Sequence, residues 1–223
     1  MTLVEYPDSE LMMISLADRL ASEVREALNI SARASIAVPG GTTPGPIFDV
    51  LAATHLDWAR VDVMLTDERW VPETSDRSNT RLLRQRLLTG PAAAARLIPL
   101  LADTPAPEDA LESLGAAVAD CLPLDVCLLG MGTDLHIASI FPGADRLEDA
   151  LHGAAPLVAM RAPGAPEPRV TLSAGVLQGA IRCHIVIRGQ DKRDALDAAR
   201  GCSLAEAPVL AVLAGATVHW ARD

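Results

Sequence analysis

Several features of membrane and secreted proteins are missing from this 223-residue sequence. The opening segment carries Glu5, Asp8 and Glu10 in place of the basic residues that begin a signal peptide. No apolar run approaches the roughly 18 residues that a membrane-spanning helix needs. We therefore expect a cytoplasmic protein without a membrane partner.

Positive charge is scarce as well. The chain has 19 Lys and Arg against 29 Asp and Glu, which gives a formal net charge of −10. Such a chain repels polyanions, so we expect no nucleic-acid partner, and an anionic ligand would require a local cationic pocket. Lys192 is the only lysine, and its place between a predicted strand and helix indicates a need for a compact ammonium group. A lysine on a helix surface by chance is the alternative.

Three kinds of chemical site have no sequence signal. The cysteines are far apart without a Cys-x-x-Cys pair, which indicates reduced core thiols; they are Cys121, Cys127, Cys183 and Cys202. No two histidines have a convincing metal-ligand spacing, so we expect no required metal. The Gly-x-Ser-x-Gly segment of serine esterases is also absent.

Half of the residues are apolar, enough for the core of one domain over residues 1–223. Helices and short apolar strands are predicted to alternate, which is typical of an α/β fold with a mostly parallel sheet flanked by helices. The predicted strands are Ser35–Val38, Val61–Leu65, Val126–Leu129, Arg182–Ile187 and Thr217–Trp220. The predicted helices are Asp8–Leu28, Pro44 or Pro46 to Leu51, Ser78–Leu88, Pro107–Asp120, Gln190–Arg200 and a short segment at Asp134–Ile140.

In such sheets ligands bind beyond the carboxyl ends of the strands, so the loops there are the candidate site. The first loop contains Gly40, Gly41, Thr42 and Thr43. Its backbone N–H groups, hydroxyls and following helix N-terminus can receive a phosphate or a sugar oxygen. It lacks the Gly-Lys-Ser/Thr of a nucleotide-binding loop, and an ordinary glycine turn is the alternative.

The second loop combines Asp67, Glu68 and Arg69 with a later Ser78-Asn79. The acids can orient a base, and the guanidinium can clamp an anion through paired donors. A surface ion-pair cluster in which Ser78 caps a helix is equally compatible with the pattern.

The third loop starts with Gly130-Met131-Gly132 and continues to His136. A dinucleotide-binding motif is excluded because Leu135 stands where its third glycine belongs. His136 follows Asp134 by two residues, and an imidazole can exchange a proton with water near neutral pH. The remaining histidines are expected to be structural; they are His55, His152, His184 and His219.

Arg169 and Lys192 add cations in later segments, and the Pro- and Gly-rich loop from Arg161 to Pro168 is either a lid or a surface connection. Together these segments resemble the 6-phosphogluconolactonase family. The family's motifs correspond here to Gly40–Pro44, Asp67–Pro72 with Ser78-Asn79, Gly130–Pro142, Arg169–Leu172 and Gly189–Lys192.

The resemblance implies a fold like that of glucosamine-6-phosphate deaminase and ribose-5-phosphate isomerase. It also implies hydrolysis of 6-phospho-D-glucono-1,5-lactone in the pentose phosphate pathway, with no cofactor. The chain departs from the family pattern at Leu135, where the family has glycine, and at Ile137, where Thr is common. A side chain at position 135 can narrow the site or alter the backbone torsion.

The hypothesis that follows gives His136 the role of general base, with Asp134 or Asp67 orienting its ring. Arg69 or loop N–H groups would stabilise the oxyanion. The substrate-binding set would be Gly40, Gly41, Thr42, Thr43, Ser78, Asn79, Arg169 and Lys192. One alternative is a deaminase or isomerase of the same fold, disfavoured because the run Ala138–Gly143 after the histidine lacks that family's glutamate. The other is a weakened sugar-phosphate binding protein.

Overall fold

The computed structural model describes all residues from Met1 to Asp223. Its strands are β1 (Thr2–Tyr6), β2 (Ala34–Val38), β3 (Val61–Leu65), β4 (Asp67–Arg69), β5 (Arg96–Ile98), β6 (Val126–Gly130), β7 (Leu157–Met160), β8 (Arg169–Leu172), β9 (Arg182–Arg188) and β10 (Thr217–Ala221). Its α-helices are α1 (Ser9–Ile30), α2 (Gly45–Ala52), α3 (Asn79–Arg86), α4 (Leu111–Ala119), α5 (Leu147–His152), α6 (Ala174–Gln178), α7 (Gln190–Ala198) and α8 (Leu210–Leu213).

Seven strands form one sheet in the order β1-β10-β9-β6-β2-β3-β5, and every neighbouring pair in it is parallel. All five residues of β2 and of β3 are buried, because helices cover both faces of the sheet. The predicted α/β class with a mostly parallel sheet is therefore confirmed.

The long helix α1 shows how local sequence sets the helix boundaries. The Asp8 carboxylate accepts a hydrogen bond from the Leu11 backbone N–H at 2.7 Å, which caps the first turn. The apolar side chains at three- and four-residue spacing, Leu16, Leu20 and Val24 among them, are fully buried. No helix in the structure, α1 included, combines the length and apolar character needed to span a bilayer.

The chain order in the large sheet reverses between β2 and β6. From β2 the chain builds outward through β3 and β5, whereas from β6 it builds in the other direction through β9 and β10. The loops after two adjacent strands, β2 and β6, then lead away from each other and leave a crevice at the carboxyl ends of the strands. This crevice receives the predicted glycine loop and the predicted histidine loop.

A second, antiparallel sheet of order β4-β8-β7 was not predicted. The segment expected as the second loop, Asp67 to Arg69, is strand β4 and pairs with Arg169 to Thr171 of β8. This pairing sets Arg69 directly opposite Arg169. The small sheet therefore brings two candidate cations together.

The predicted helical segment at Asp134–Ile140 is wrong. Leu135 and Ala138 have φ angles of +67° and +48°, in the left-handed region that a right-handed helix cannot contain. The segment forms tight turns instead, with the Leu135 N–H donating to the Gly132 carbonyl and the Ile140 N–H donating to the Ile137 carbonyl.

Candidate active site

A cleft of about 220 Å³ opens where the loops after β2, β6 and β9 meet the small sheet. Arg69, Arg169 and Lys192 line it together with His136, and Asp67 is the only acidic lining residue. The remaining lining residues are Pro39, Gly40, Gly41, Thr42, Thr43, Pro44, Asn79, Gly130, Met131, Gly132, Ala138 and Val186. In a chain of net charge −10, this local excess of cations favours an anionic ligand.

His136 is paired with Asp134 at the edge of the cleft. The imidazole Nδ1 lies 2.6 Å from the Asp134 Oδ1, and 29% of the His136 side chain is exposed. A carboxylate only accepts, so in the neutral ring Nδ1 carries the proton and Nε2 keeps its lone pair. The pair therefore presents an imidazole that is both oriented and accessible to water.

Gly132 makes room for this pair. A Cβ at position 132 would lie 2.2 Å from the Asp134 Oδ1 and 2.3 Å from the His136 Nδ1. No side chain fits at those distances, so the absence of one at this strand end allows His136 to fold back over the backbone.

Asp67 does not contact His136. Its Oδ2 accepts a 2.6 Å hydrogen bond from the buried Ser139 hydroxyl, and it lies 3.9 Å from the Arg169 Nη1. Of the two acids considered from the sequence, Asp134 is the one positioned to orient the imidazole. Asp67 instead joins the histidine loop to the arginine of β8.

The two arginines of the small sheet keep unused donors. Arg69 donates from Nη1 to the Arg77 carbonyl at 2.6 Å, while the Nε groups of Arg69 and Arg169 are buried without a hydrogen-bond partner. Burial lowers the pKa of Arg169, the nearby Arg69 adds to the lowering, and Asp67 raises the pKa in opposition. An anion bound beside these two desolvated guanidinium groups would stabilise their charge and could accept from their free Nε groups.

Lys192 lies in the first turn of α7, after Gly189 with its φ of +88°. Its ammonium has no carboxylate within salt-bridge distance and no hydrogen bond, although its helix also carries Asp191 and Asp194. The lysine singled out by composition therefore reaches the cleft with its charge unpaired. Strand β9 and the glycine turn after it bring it there.

The glycine loop after β2 presents its backbone to the cleft. Gly41 has a φ of +88°, which glycine adopts without strain. A Cβ on Gly40 would overlap the Asn79 side chain at 2.0 Å, so the loop packs directly on that amide, which donates to the Asp67 carbonyl at 2.9 Å. Thr42 and Thr43 line the cleft, and their hydroxyls have no protein partner.

Ser78 is the predicted substrate-binding residue that does not line the cleft. Its hydroxyl accepts from the Arg81 N–H at 3.1 Å as the N-cap of α3. The structure therefore agrees with the alternative in which Ser78 caps a helix.

Glu68 is a residue whose importance the sequence did not reveal. Its carboxylate is fully buried and accepts from the backbone N–H groups of Arg69, Asn79 and Thr80 at 2.6–2.8 Å, and from the Ser78 hydroxyl at 3.2 Å. It therefore fixes β4 to the start of α3. Nothing in the sequence distinguishes Glu68 from the acidic residues that lie on the protein surface.

Leu135 does not narrow the cleft. Its side chain is only 8% exposed, belongs to the hydrophobic core and is absent from the cleft lining. The effect of replacing the family's glycine falls on the backbone, because the residue holds a φ of +67°.

The other histidines lie apart from the cleft. His184 and His219 are buried and hydrogen-bonded to each other, as expected for structural residues, while His55 and His152 are exposed. No group of three or more His, Cys, Asp and Glu side chains is arranged to hold a metal ion. All four cysteines are free, and Cys202 is only partly buried.

The fold and the cleft define a class: an α/β protein with a histidine–aspartate pair beside a cleft that is lined by cationic side chains at the carboxyl ends of parallel strands. Residues 7–220 match the family described as glucosamine-6-phosphate isomerases/6-phosphogluconolactonase. The chain belongs to this family, and the resemblance found in its motifs is confirmed.

Relatives and solved structures agree with this assignment. The chain is 44% identical over 220 residues to the 6-phosphogluconolactonase of Rhizobium meliloti, covering 93% of this chain and 94% of the relative. It is 40% identical to the 6-phosphogluconolactonase of Pseudomonas aeruginosa, over 92% of this chain and 88% of the relative. The crystal structure of a 6-phosphogluconolactonase from Shewanella baltica superimposes with a TM-score of 0.95 at 31% identity, covering 99% of this chain and 97% of that one.

The same fold also occurs in a protein that is named for a different activity. A monomeric glucosamine-6-phosphate deaminase superimposes with a TM-score of 0.81 at 17% identity, over 100% of this chain and 98% of the other. At that identity the likeness concerns the fold alone. It agrees with the fold relationship that the motifs implied.

Proposed function

We propose that this chain hydrolyses 6-phospho-D-glucono-1,5-lactone to 6-phospho-D-gluconate, as the names of its relatives suggest. The observation that carries the proposal is the His136–Asp134 pair at the edge of a cleft lined by Arg69, Arg169 and Lys192. A base beside several cations suits the attack of water on an ester that is tethered by a phosphate.

In the proposed reaction, His136 Nε2 removes a proton from water, and the resulting hydroxide oxygen bonds to the lactone carbonyl carbon. The tetrahedral oxyanion then collapses and breaks the bond between that carbon and the ring oxygen. The imidazolium returns its proton to the leaving ring oxygen, which restores the neutral base. Asp134 stabilises the imidazolium and holds the ring in one tautomer.

The cations divide into two roles in this proposal. Arg69, or the N–H groups of the glycine loop, stabilises the oxyanion at the carbonyl. Arg169 and Lys192 hold the phosphate, which fixes the carbonyl near the base in spite of the repulsion from the whole chain. The Thr42 and Thr43 hydroxyls remain available to the sugar hydroxyls, and Asn79 lines the same cleft.

The reaction class is tested with the purified protein and two substrates. We expect acid release from the phosphorylated lactone well above the spontaneous rate in buffer, and no ammonia release from glucosamine 6-phosphate. Ammonia release would favour the deaminase alternative. Binding of 6-phosphogluconate without lactone turnover would favour a sugar-phosphate binding protein instead. The pentose phosphate pathway and a cytoplasmic location stay predictions.

A further inference from the structure

Phe141 contacts two of the groups that the proposed reaction uses. Its ring centroid lies 4.2 Å from that of His136, with the two planes tilted by 33°. The guanidinium Cζ of Arg169 lies over the same ring, 5.3 Å from its centroid. Both distances are within the range of favourable aromatic and cation–π contacts. Phe141 itself does not line the cleft.

The ring of His136 has one hydrogen bond, which constrains only one of its two nitrogens. Asp134 holds Nδ1, whereas Nε2 has no hydrogen-bond partner in the protein, so the tilt of the ring about its Cβ–Cγ bond also depends on packing. The Phe141 ring, tilted by 33° against the imidazole, supplies the second constraint. It therefore decides where the Nε2 lone pair points.

Arg169 is held loosely by polar partners. The Ser139 hydroxyl lies 3.4 Å from its Nη1, the Asp67 and Glu167 carboxylates each lie 3.9 Å away, and its Nε has no partner. None of these contacts has the short, paired geometry that fixes a guanidinium plane. The aromatic face of Phe141 remains as the surface against which this guanidinium is oriented.

The ring is carried by a rigid segment. The turn before it is closed by the bond from the Ile140 N–H to the Ile137 carbonyl, and both isoleucines are fully buried. Ser139 anchors the turn through its N–H to the Thr171 hydroxyl at 3.2 Å. Pro142 restricts the Phe141 backbone to extended conformations. The ring therefore has a fixed support.

We propose that Phe141 is a positioning residue that fixes the His136 base and the phosphate-binding Arg169 relative to one another. This inference rests on the proposed function. Loss of the ring would displace the base, which lowers kcat, and would loosen the clamp, which raises KM. A residue that only filled space would not produce this combined effect.

The test replaces the ring while keeping an apolar side chain at the position. Phe141→Leu is expected to lower kcat by about tenfold, within the range caused by a small misplacement of catalytic groups, and to raise KM for the lactone severalfold. Phe141→Tyr keeps the aromatic face and should retain both constants near wild type. Phe141→Met repeats the measurement if the Leu variant folds poorly.

Phe48, the other phenylalanine, gives a matched control. It is fully buried in α2 and does not line the cleft, so Phe48→Leu should lower the melting temperature while leaving kcat and KM unchanged. The nitrogen NMR shifts of His136 add a readout that needs no turnover. A single Nδ1–H tautomer is expected in wild type and Phe141→Tyr, and mixed tautomers in Phe141→Leu, because a ring displaced from its position loses the Asp134 hydrogen bond that selects the tautomer.

Unchanged kcat and KM in Phe141→Leu, with an active wild type, would overturn this inference alone. Equal losses in the Leu and Tyr variants would overturn it too, because the ring would then not be the determinant. A wild-type protein that does not accelerate lactone opening would overturn the proposed function, and this inference with it.

Discussion

The proposed role of Lys192 depends on its having no partner inside the protein. Its ammonium lines the cleft and forms no salt bridge, so its charge is available to a phosphate. A phosphate contact far from the reacting carbonyl is equally strong in the ground and transition states. The residue should therefore affect binding more than turnover.

We expect Lys192→Ala to raise KM for the phosphorylated lactone by about tenfold, the effect of losing roughly 1.4 kcal/mol of binding energy, with kcat little changed. Lys192→Arg keeps the charge and should recover part of the loss. Steady-state kinetics over a range of lactone concentrations measures both constants. A fall in kcat at constant KM would contradict the assignment.

At Leu135, the burial of the side chain is favourable and the backbone conformation is unfavourable. Its side chain is nearly enclosed, yet its φ of +67° is costly for any residue with a Cβ. We expect Leu135→Gly to be more stable than Leu135→Ala by about 1 kcal/mol, because both lose the side chain and only glycine loses the strain. Denaturant unfolding of the two variants gives the difference directly. A more stable alanine variant would show that the strain is absent.

At the scale of elements, the site depends on the junction between β4 and α3. The Glu68 carboxylate joins them by accepting from three backbone N–H groups and the Ser78 hydroxyl. A buried carboxylate with so many donors is costly to replace, since the donors then lose their acceptor. This junction also sets Arg69 at the cleft.

We expect Glu68→Gln to lower the free energy of unfolding by about 1–3 kcal/mol. The matched control is Glu73→Gln, because Glu73 is a half-buried surface acid whose ion pair with Arg84 contributes little. Thermal unfolding of both variants tests this. Equal melting temperatures for the two would mean that the junction is not held by Glu68.

The sequence revealed the parallel sheet more readily than the small one. β2 and β3 are short apolar runs that are buried on both faces, and such runs carry their own signal. β4 is Asp67-Glu68-Arg69, whose burial depends on partners elsewhere. The hydroxyl that binds Asp67 belongs to Ser139, 72 residues further along the chain. No local pattern contains that information.

For the candidate site, too, the sequence predicted the location of the loops but not the contacts among their residues. The loops that follow β2, β6 and β9 could be located because they come directly after predictable strands. The choice of Asp134 over Asp67 as the partner of His136 could not be made, because it depends on the left-handed turn at Leu135. The contacts of Phe141 depend on the same turn and on β8.

At the scale of the whole molecule, a buried polar chain links α1 to strands at one side of the large sheet. The Tyr6 hydroxyl contacts His219 Nδ1 at 2.9 Å, His219 Nε2 contacts His184 Nδ1 at 3.0 Å, and His184 Nε2 contacts Glu23 at 2.7 Å. Arg19 also lies 3.3 Å from Glu23. Burial first, then His184 and Arg19, lower the pKa of His219 to about 4.

This pKa sets a direction for the pH dependence of stability. The unfolded chain takes up a proton at His219 near the ordinary pKa of 6.5, while the folded chain resists it down to about 4. Stability therefore falls as the pH drops from about 6.5 to 4, by roughly 3 kcal/mol over the whole interval.

We expect His219→Asn to flatten the dependence of unfolding free energy on pH between 6.5 and 5, above the range where most carboxylates titrate. His55→Asn is the control, because His55 is exposed and should leave the slope unchanged. Urea unfolding at several pH values gives the slopes. An unaltered slope in His219→Asn would show that this histidine is not the group responsible.

The most direct measurement is the turnover of phosphorylated lactone by His136→Ala, corrected for spontaneous opening and compared with wild type. A general base contributes about 100-fold or more to the rate, and a fall in kcat of that size is predicted. His152→Ala, which removes an exposed histidine outside the cleft, should match wild type. A His136→Ala variant that is folded and turns over lactone at the wild-type rate would contradict the central claim.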